Sequence, residues 1–195
     1  MNNRAKTIIP TSRFVFIVTA LSCCLAACSS KTPTVQSYQT NGLQFSYYSD
    51  WKIAKDAPVE SKPDIRSILL KGPNHAVVTL VCVPPSSKQT LEQYAQTVAG
   101  LRKTKIEDRL KAAEVDKGTS EPLTGKVAGG EQTGIHQQFS IELLNRAVPH
   151  DVNFFMLRGT QYKVMIMSQV PQKYSESSRP GIDLIFGSLR IEGLP

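Results

Sequence analysis

Two kinds of apolar pattern predict the strands of this chain. Residues 42–48 and 135–143 alternate apolar and polar side chains almost without a break, which is typical of strands with one buried face. Residues 152–158 and 162–170 are instead apolar at successive positions, which is typical of strands covered on both faces. Together these patterns predict a sheet that lies between two other layers.

Turn-forming residues divide the strand-like runs into hairpins. Gly72-Pro73-Asn74-His75 separates residues 65–71 from residues 76–83, and Gly159-Thr160-Gln161 separates the two continuously apolar runs. Gly, Pro and Asn favour turns for backbone reasons, so each arrangement predicts a β-hairpin. Residues 121–134 are glycine-rich and are predicted to be turn-like.

Two helices complete the pattern. Thr90 and Gln93 have the spacing of a capping box, in which each side chain bonds the other residue's backbone. An apolar stripe follows at helical spacing; its members are Leu91, Tyr94, Ala95, Val98 and Leu101. Residues 181–187 predict a second helix, and residues 188–191 predict a short closing strand. The whole predicts an α+β fold, a three-layer α/β/α sandwich around a mainly antiparallel sheet.

Residues 1–27 have the features of an export signal. Three basic residues precede an apolar run, residues 14–20, that is too short to span a bilayer as a permanent helix. Leu25-Ala26-Ala27-Cys28 follows and resembles the lipobox of bacterial lipoproteins. The resemblance implies cleavage before Cys28 and lipidation of that residue by palmitate-type acyl chains, which together anchor a protein firmly. A plain secretory signal with a chance cysteine is the alternative.

The residues after Cys28 refine the expected location. In Gram-negative lipoproteins, Asp at the next position implies retention at the inner membrane, and this chain has Ser29. The resemblance therefore implies a lipid anchor in the outer membrane, with the protein on the periplasmic face. Residues 28–40 are polar and rich in Ser and Thr, so they are predicted to form a flexible tether. Residues 41–195 are then predicted to be a single domain.

The charge of the chain argues against nucleic acid as a partner. The formal net charge is +7, and loss of Arg4, Lys6 and Arg13 with the signal lowers it to +4. Basic residues are not concentrated with stacking aromatic residues, as they are in most nucleic-acid binders. The densest basic stretch, residues 102–111, also holds acidic residues and is predicted to be a solvated helix end. A patch that contacts anionic lipid headgroups is the alternative.

Cys82 is the only thiol left once the signal is removed and Cys28 is acylated. It lies in a strand-like run and is predicted to act as a small buried hydrophobic side chain. A nucleophilic role would require exposure and a nearby base, and the histidines, His75, His136 and His150, are distant in sequence. No catalytic residue is predicted.

The polar candidates do not have the spacing of metal ligands. His136 and Glu142 on one strand are about 20 Å apart at a rise of about 3.3 Å per residue. His150 and Asp151 are adjacent on a strand and therefore point to opposite faces. The other polar candidates are Asp50, Asp64 and His75. No metal and no cofactor is predicted, and the histidines are expected at solvated polar positions.

Several weak patterns occur in a fixed order along the chain. They are Tyr48-Ser49-Asp50-Trp51, the helix from Thr90 to Arg102, residues 123–128, the Gly159-x-x-Tyr162 hairpin and the terminal Gly187-Ser188-Leu189-Arg190-Ile191. The set resembles the PsbP-like superfamily, whose bacterial members include the DcrB-like periplasmic lipoproteins, over residues 40–193. Ser49 departs from the proline that the family often has before its tryptophan. The resemblance implies an α/β/α sandwich that serves as an assembly factor or stabilising subunit without catalysis.

Three functional classes remain at this point. The favoured one is a non-enzymatic, periplasm-facing envelope lipoprotein that acts as an accessory or assembly factor by binding a protein partner. The alternative is a binder of an envelope ligand, namely a lipid, a glycan or a metal ion, which would require a deep pocket. An enzyme comes third, because it requires convergent titratable groups that the sequence does not show.

Overall fold

The computed structural model describes residues 32–60, 62–111, 113–116 and 118–192. In these residues the chain forms two helices, α1 (Leu91–Arg109) and α2 (Ser175–Ser188). The strands are β1 (Val35–Thr40), β2 (Leu43–Tyr48), β3 (Lys52–Val59), β4 (Lys62–Lys71), β5 (Val77–Val83), β6 (Ala113–Val115), β7 (Thr119–Val127), β8 (Gly130–Leu143), β9 (Arg146–Arg158), β10 (Lys163–Pro171) and β11 (Arg190–Ile191).

The strands form one large sheet and one small sheet. The large sheet has the order β3-β4-β5-β10-β9-β8-β6, and β7 pairs with β8 beside β6. The small sheet has the order β1-β2-β11. Every strand pair within the described residues is antiparallel, so the predicted α+β class with a mainly antiparallel sheet is confirmed.

Strand β10 shows how the large sheet is covered on both sides. Val164 and Ile166 belong to a hydrophobic cluster that includes residues of α2 and β2. Met165 and Met167, which point the other way, belong to a second cluster that includes residues of α1. The two sides are called the α2 face and the α1 face below. Helix α1 is one outer layer, and α2 with the small sheet is the other, so the predicted sandwich is confirmed.

The predicted tether is wrong over residues 35–40, which form strand β1. This strand pairs with β2 through a tight turn at Asn41 and Gly42, whose φ angles are 50° and 72°. Asn-Gly is the residue pair that best tolerates two successive positive φ angles in a two-residue hairpin. The sequence thus held a hairpin signal, and the ordered domain begins before Asn41.

Residues 121–134, predicted to be turn-like, are mostly strand. They form most of β7 and the start of β8, with the turn at Ala128 and Gly129. Two of the glycines make room for an aromatic ring, because a Cβ at Gly125 or Gly134 would lie 2.7 or 2.6 Å from a ring carbon of Phe155. These glycines therefore reflect packing within a sheet, which local sequence does not reveal.

The first helix begins as predicted, and the second begins earlier than predicted. The backbone N–H of Gln93 donates to Oγ1 of Thr90, and the backbone N–H of Thr90 donates to Oε1 of Gln93, which confirms the capping box. The predicted apolar stripe is wrong at Leu101, which is exposed. Helix α2 starts at Ser175, whose hydroxyl bonds Asp151 on the sheet.

Candidate functional site

A polar cleft of about 500 Å³ opens on the α2 face where helix α2 begins. Its floor comes from β8, β9 and β10, and its wall comes from the first turns of α2. The lining residues are Leu123, His136, Gln138, Asp151, Asn153, Ser168, Val170, Gln172, Ser175, Glu176, Arg179, Ile182 and Asp183. It is the candidate functional site.

Strand register produces the polar floor. Asn153 pairs with Ser168 on β10 and with His136 on β8, so the three side chains form one row across the sheet. Asp151 pairs with Gln138 in the next row of the same face. Because alternate residues of a strand point to one side, these polar side chains lie on the same face as the apolar residues that pack beneath most of α2. That face is therefore apolar under most of the helix and polar at its start.

Asp151 is the centre of the hydrogen bonds in the floor. The Ser175 hydroxyl donates to its Oδ2 at 2.5 Å, and Nε2 of Gln138 donates to its Oδ1 at 3.2 Å. Nε2 of His136 lies 3.8 Å from the same Oδ1, and Nδ1 of His136 lies 2.8 Å from Oδ1 of Asn153. These contacts hold the floor in one geometry, and Asp151 also places a negative charge at the N-terminus of α2, where it is favourable.

This constellation differs from that of a hydrolase. In a Ser-His-Asp triad the histidine lies between the other two residues and accepts the serine proton. Here Asp151 lies between Ser175 and His136, so the Ser175 hydroxyl donates to a carboxylate and not to an imidazole. The arrangement places polar groups in the cleft in an order that is not that of a Ser-His-Asp triad.

The helical wall adds charge to the cleft. Arg179 and Glu176 form an ion pair with 2.8 Å between Nη2 and Oε1. Asp183 is exposed on α2, but the surrounding protein partly buries its carboxyl and thereby raises the pKa of that group, while Arg179 acts in the opposite direction. A carboxylate kept partly from water favours a nearby cation.

His150 and Asp151 lie on opposite faces, which confirms that prediction. His150 is on the α1 face, where its ring stacks on Phe139 at a centroid distance of 4.9 Å, and its Nδ1 lies 2.9 Å from the carbonyl oxygen of Val148. Burial lowers the pKa of His150. The predicted solvated position is therefore wrong for His150. His136 is partly exposed and is bonded within the cleft.

The prediction of a solvated helix end is wrong for Arg102, whose guanidinium is partly buried against the sheet. Its guanidinium lies over the ring of Phe139, 4.0 Å from the centroid. Its Nε and Nη2 are buried and have no hydrogen-bond partner among the described residues. Burial lowers the pKa of Arg102 to about 10. The other basic residues of this stretch are exposed, so the prediction holds for them.

Cys82 is buried, as predicted. It lies beside a second pocket of about 300 Å³, which Arg66 and Tyr162 also line. Burial raises the pKa of the thiol to about 11, so it is protonated at neutral pH. The positive charge of Arg66 acts to lower that pKa, but its effect is smaller than that of burial, and Arg66 is engaged by both carboxylate oxygens of Asp56, at 2.7 and 2.8 Å.

The structure brings together only some of the polar candidates. His136 and Asp151 meet in the cleft, whereas Asp50, Asp64 and His75 are exposed elsewhere. Sequence reasoning missed Asn153, Ser175 and Asp183, although the polar positions of the alternating run 135–143 were a signal for Gln138 and His136. Among the described residues, no group of three His, Cys, Asp or Glu side chains is placed to hold a metal ion.

Two sequence predictions concern the membrane. Cys28 and the signal lie outside the described residues. Within residues 32–192, apart from the three undescribed positions, no helix is long and apolar enough to cross a bilayer.

Comparison with known proteins finds similarity only at the level of solved structures. No protein-family model matches the chain, and no curated protein matches it. The solution structure of cyanobacterial PsbP (CyanoP) from Synechocystis sp. PCC 6803 is similar at 12% identity and a TM-score of 0.48, over 86% of this chain and 98% of that one. LpqN of Mycobacterium tuberculosis, described as involved in cell envelope biogenesis, is similar at 11% identity and a TM-score of 0.36, over 85% and 87%.

A PsbP protein is thus among the solved structures to which this chain is similar, as the sequence resemblance indicates. At such identities and TM-scores, neither comparison bears on activity, ligand or partner.

Proposed function

We propose that the chain is a lipoprotein, anchored through Cys28 in the outer membrane on its periplasmic side, and that its domain acts by binding another envelope protein and not by catalysis. The location rests on the lipobox-like sequence and on Ser29. The acyl chains would confine the domain to the membrane surface. Confinement raises the local concentration of a partner in the same membrane.

One observation supports a non-catalytic role above the others. Cys82, His136 and His150, the side chains best suited to nucleophilic or base chemistry, lie in three separate surroundings. Cys82 is beside the second pocket, His136 is in the cleft, and His150 is on the opposite face of the sheet. Nucleophilic catalysis requires a nucleophile and a base within hydrogen-bond reach, and these three do not supply such a pair.

A surface for a partner is suggested by exposed leucines. Leu144 at the β8–β9 turn is 79% exposed, and Leu110 after α1 is 44% exposed. The carbonyl oxygen of Leu110 accepts from the N–H of Ala113, which in turn pairs with Leu143. Leu110 and Leu144 therefore belong to one end of the domain. Exposed apolar side chains that share one region favour an interaction surface.

In-cell photo-crosslinking tests the partner proposal. A photoreactive residue at position 144 of the full chain should yield one discrete adduct with an envelope protein, and Leu110→Asp should reduce it. The matched control is Val35, which is also exposed but lies in β1: crosslinking from position 35 and the substitution Val35→Asp should leave the pattern unchanged. Equal adducts from both positions, or none from position 144, would count against the proposal.

A second candidate function is favoured by the polar cleft. The alternative of an envelope-ligand binder predicted a deep pocket, and the cleft has a volume of about 500 Å³, within the usual range for small-molecule sites. Of its three ligand classes, a metal ion is the least favoured, because the described residues place no three ligating side chains together.

A further inference from the structure

The cleft at the start of α2 has a charge opposite to that of the protein. The chain as a whole has a formal net charge of +7. The cleft is lined by three carboxylates, those of Asp151, Glu176 and Asp183, and by one guanidinium, that of Arg179. Because Arg179 is paired with Glu176, two carboxylates remain for a ligand.

These two carboxylates occupy different parts of the cleft. Asp151 is fixed on the floor by Ser175 and Gln138, and its side chain is 16% exposed. Asp183 is on the helical wall, where no described residue forms an ion pair with it and burial raises the pKa of its carboxyl. Asp151 is thus partly removed from water, where its interaction with a cation is stronger than at an open surface, whereas Asp183 is exposed on α2.

The other lining residues of the cleft are of two kinds, neutral polar and apolar. Asn153, Gln138 and Ser168 provide neutral hydrogen-bonding groups beside Asp151, and Ser168 lines the cleft although it is only 2% exposed. Apolar side chains of Leu123, Val170 and Ile182 also line the cleft. A short methylene chain would pack on these apolar side chains while its charged ends reach the carboxylates.

Other ligand classes fit this lining less well. An anion would meet the negative charges of Asp151 and Asp183. A divalent metal ion would find fewer than three ligating side chains together. Saccharides are bound through planar amide and carboxylate groups, which are present, but no Phe, Tyr or Trp ring lines the cleft to stack on the face of a sugar.

We propose that the cleft binds a small aliphatic diamine or polyamine, with one ammonium group at Asp151, a second at Asp183, and the methylene chain against Leu123, Val170 and Ile182. This inference rests on the second proposed function, ligand binding, and is independent of the partner surface at Leu110 and Leu144.

Calorimetric titration of the full chain, purified in a non-ionic detergent, tests this with three matched compounds. They are 1,4-diaminobutane, n-butylamine and 1,4-butanediol, which carry two, one and no positive charges on the same carbon chain. The diamine should bind with one-to-one stoichiometry, and butylamine should bind about fivefold or more weakly, as expected for loss of one ion pair. The diol should give no measurable binding.

Charge-neutralising variants locate the site. Asp183→Asn should weaken diamine binding about fivefold or more, and Asp151→Asn should do the same if the variant retains the wild-type fold by circular dichroism. Asp108→Asn removes one exposed negative charge from α1 and is the matched control, for which binding should not change. Because Asp183 is not hydrogen-bonded to the floor, its variant keeps the test decisive even if Asp151→Asn unfolds.

Three results would overturn the proposal. They are binding of the diol as tightly as the diamine, absence of diamine binding at millimolar concentration, and equal losses in Asp183→Asn and Asp108→Asn. The first would leave a ligand-binding cleft of different specificity, whereas the second would remove the cleft as evidence for the second proposed function. Neither result would affect the crosslinking from position 144.

Discussion

The indole of Trp51 lies directly against the backbone of Gly181 in helix α2. A Cβ at Gly181 would be 2.3 Å from Nε1 of Trp51, and on the other side a Cβ at Gly72 would be 2.5 Å from its Cε2. Trp51 is only 3% exposed. This contact couples the second helix to the turn before β5 and sets the position of the wall of the cleft.

Gly181→Ala should destabilise the protein by about 1–3 kcal/mol, because the added methyl group overpacks a filled site. Trp51→Ala should cost about 3–5 kcal/mol through the cavity it leaves. Gly187→Ala is the control in the same helix: a Cβ there meets nothing within 4 Å, and better helix propensity should add up to about 1 kcal/mol. Urea denaturation measures all three, and equal effects of the two glycine variants would contradict the contact.

Gly125 and Phe155 should show energetic coupling. A Cβ at Gly125 would be 2.7 Å from Cζ of the Phe155 ring, so Gly125→Ala should destabilise the wild type. In a Phe155→Leu background, the same change should cost at least about 0.5 kcal/mol less, since contacting residues are non-additive. A double-mutant cycle of unfolding free energies measures the difference. Additive costs would show that the methyl group is accommodated without the ring moving.

The stability of the protein should fall as pH drops below about 6.5, the ordinary pKa of histidine. Burial holds the pKa of His150 below that value, so the unfolded chain binds the proton before the folded one does. The free energy of unfolding is therefore unaffected by His150 at high pH and decreases as pH falls from about 6.5 toward the folded-state pKa.

His150→Phe should flatten this dependence, because the aromatic replacement keeps the stack on Phe139 and removes the titrating group. His75→Asn, at an exposed position, is the control and should keep the wild-type slope. Denaturation curves between pH 5 and pH 8 make the comparison. A slope that survives in His150→Phe would assign the effect to another group.

Cys82 should react slowly with a thiol reagent. Burial raises its pKa to about 11, so little thiolate is present at neutral pH, and the residue is 7% exposed. A colorimetric disulfide reagent should modify it far faster in denaturant than in buffer.

The double variant Cys82→Ser/His136→Ala should still complement a deletion strain if it folds and is lipidated. Loss of complementation would argue for an enzyme or metal carrier.

Cys28→Ala should abolish membrane anchoring. If Cys28 carries the acyl chains, the variant should no longer incorporate labelled palmitate and should leave the membrane fraction after cell lysis. Cys24→Ala, one of the two cysteines within the predicted signal, is the control and should label like the wild type. Unchanged labelling of Cys28→Ala would contradict the lipoprotein assignment.

Local patterns were sufficient where the determining interaction spans only a few residues. The capping box of Thr90 and Gln93 involves residues three apart, and the turn at residues 72–75 is set by its own Gly, Pro and Asn. For the same reason the opposite orientation of His150 and Asp151 followed from strand geometry alone. The sequence by itself therefore determined the fold class, most hairpins, the start of α1 and the burial of Cys82.

Only the tertiary structure decided which polar residues meet. His136, Asp151, Ser168 and Asp183 come from β8, β9, β10 and α2, and they share a cleft because strand register aligns three of them and α2 crosses the same face. The glycines of residues 121–134 look turn-like in isolation, yet the ring of Phe155 makes them necessary within strands. Both outcomes depend on contacts between residues far apart in sequence, which local propensity does not encode.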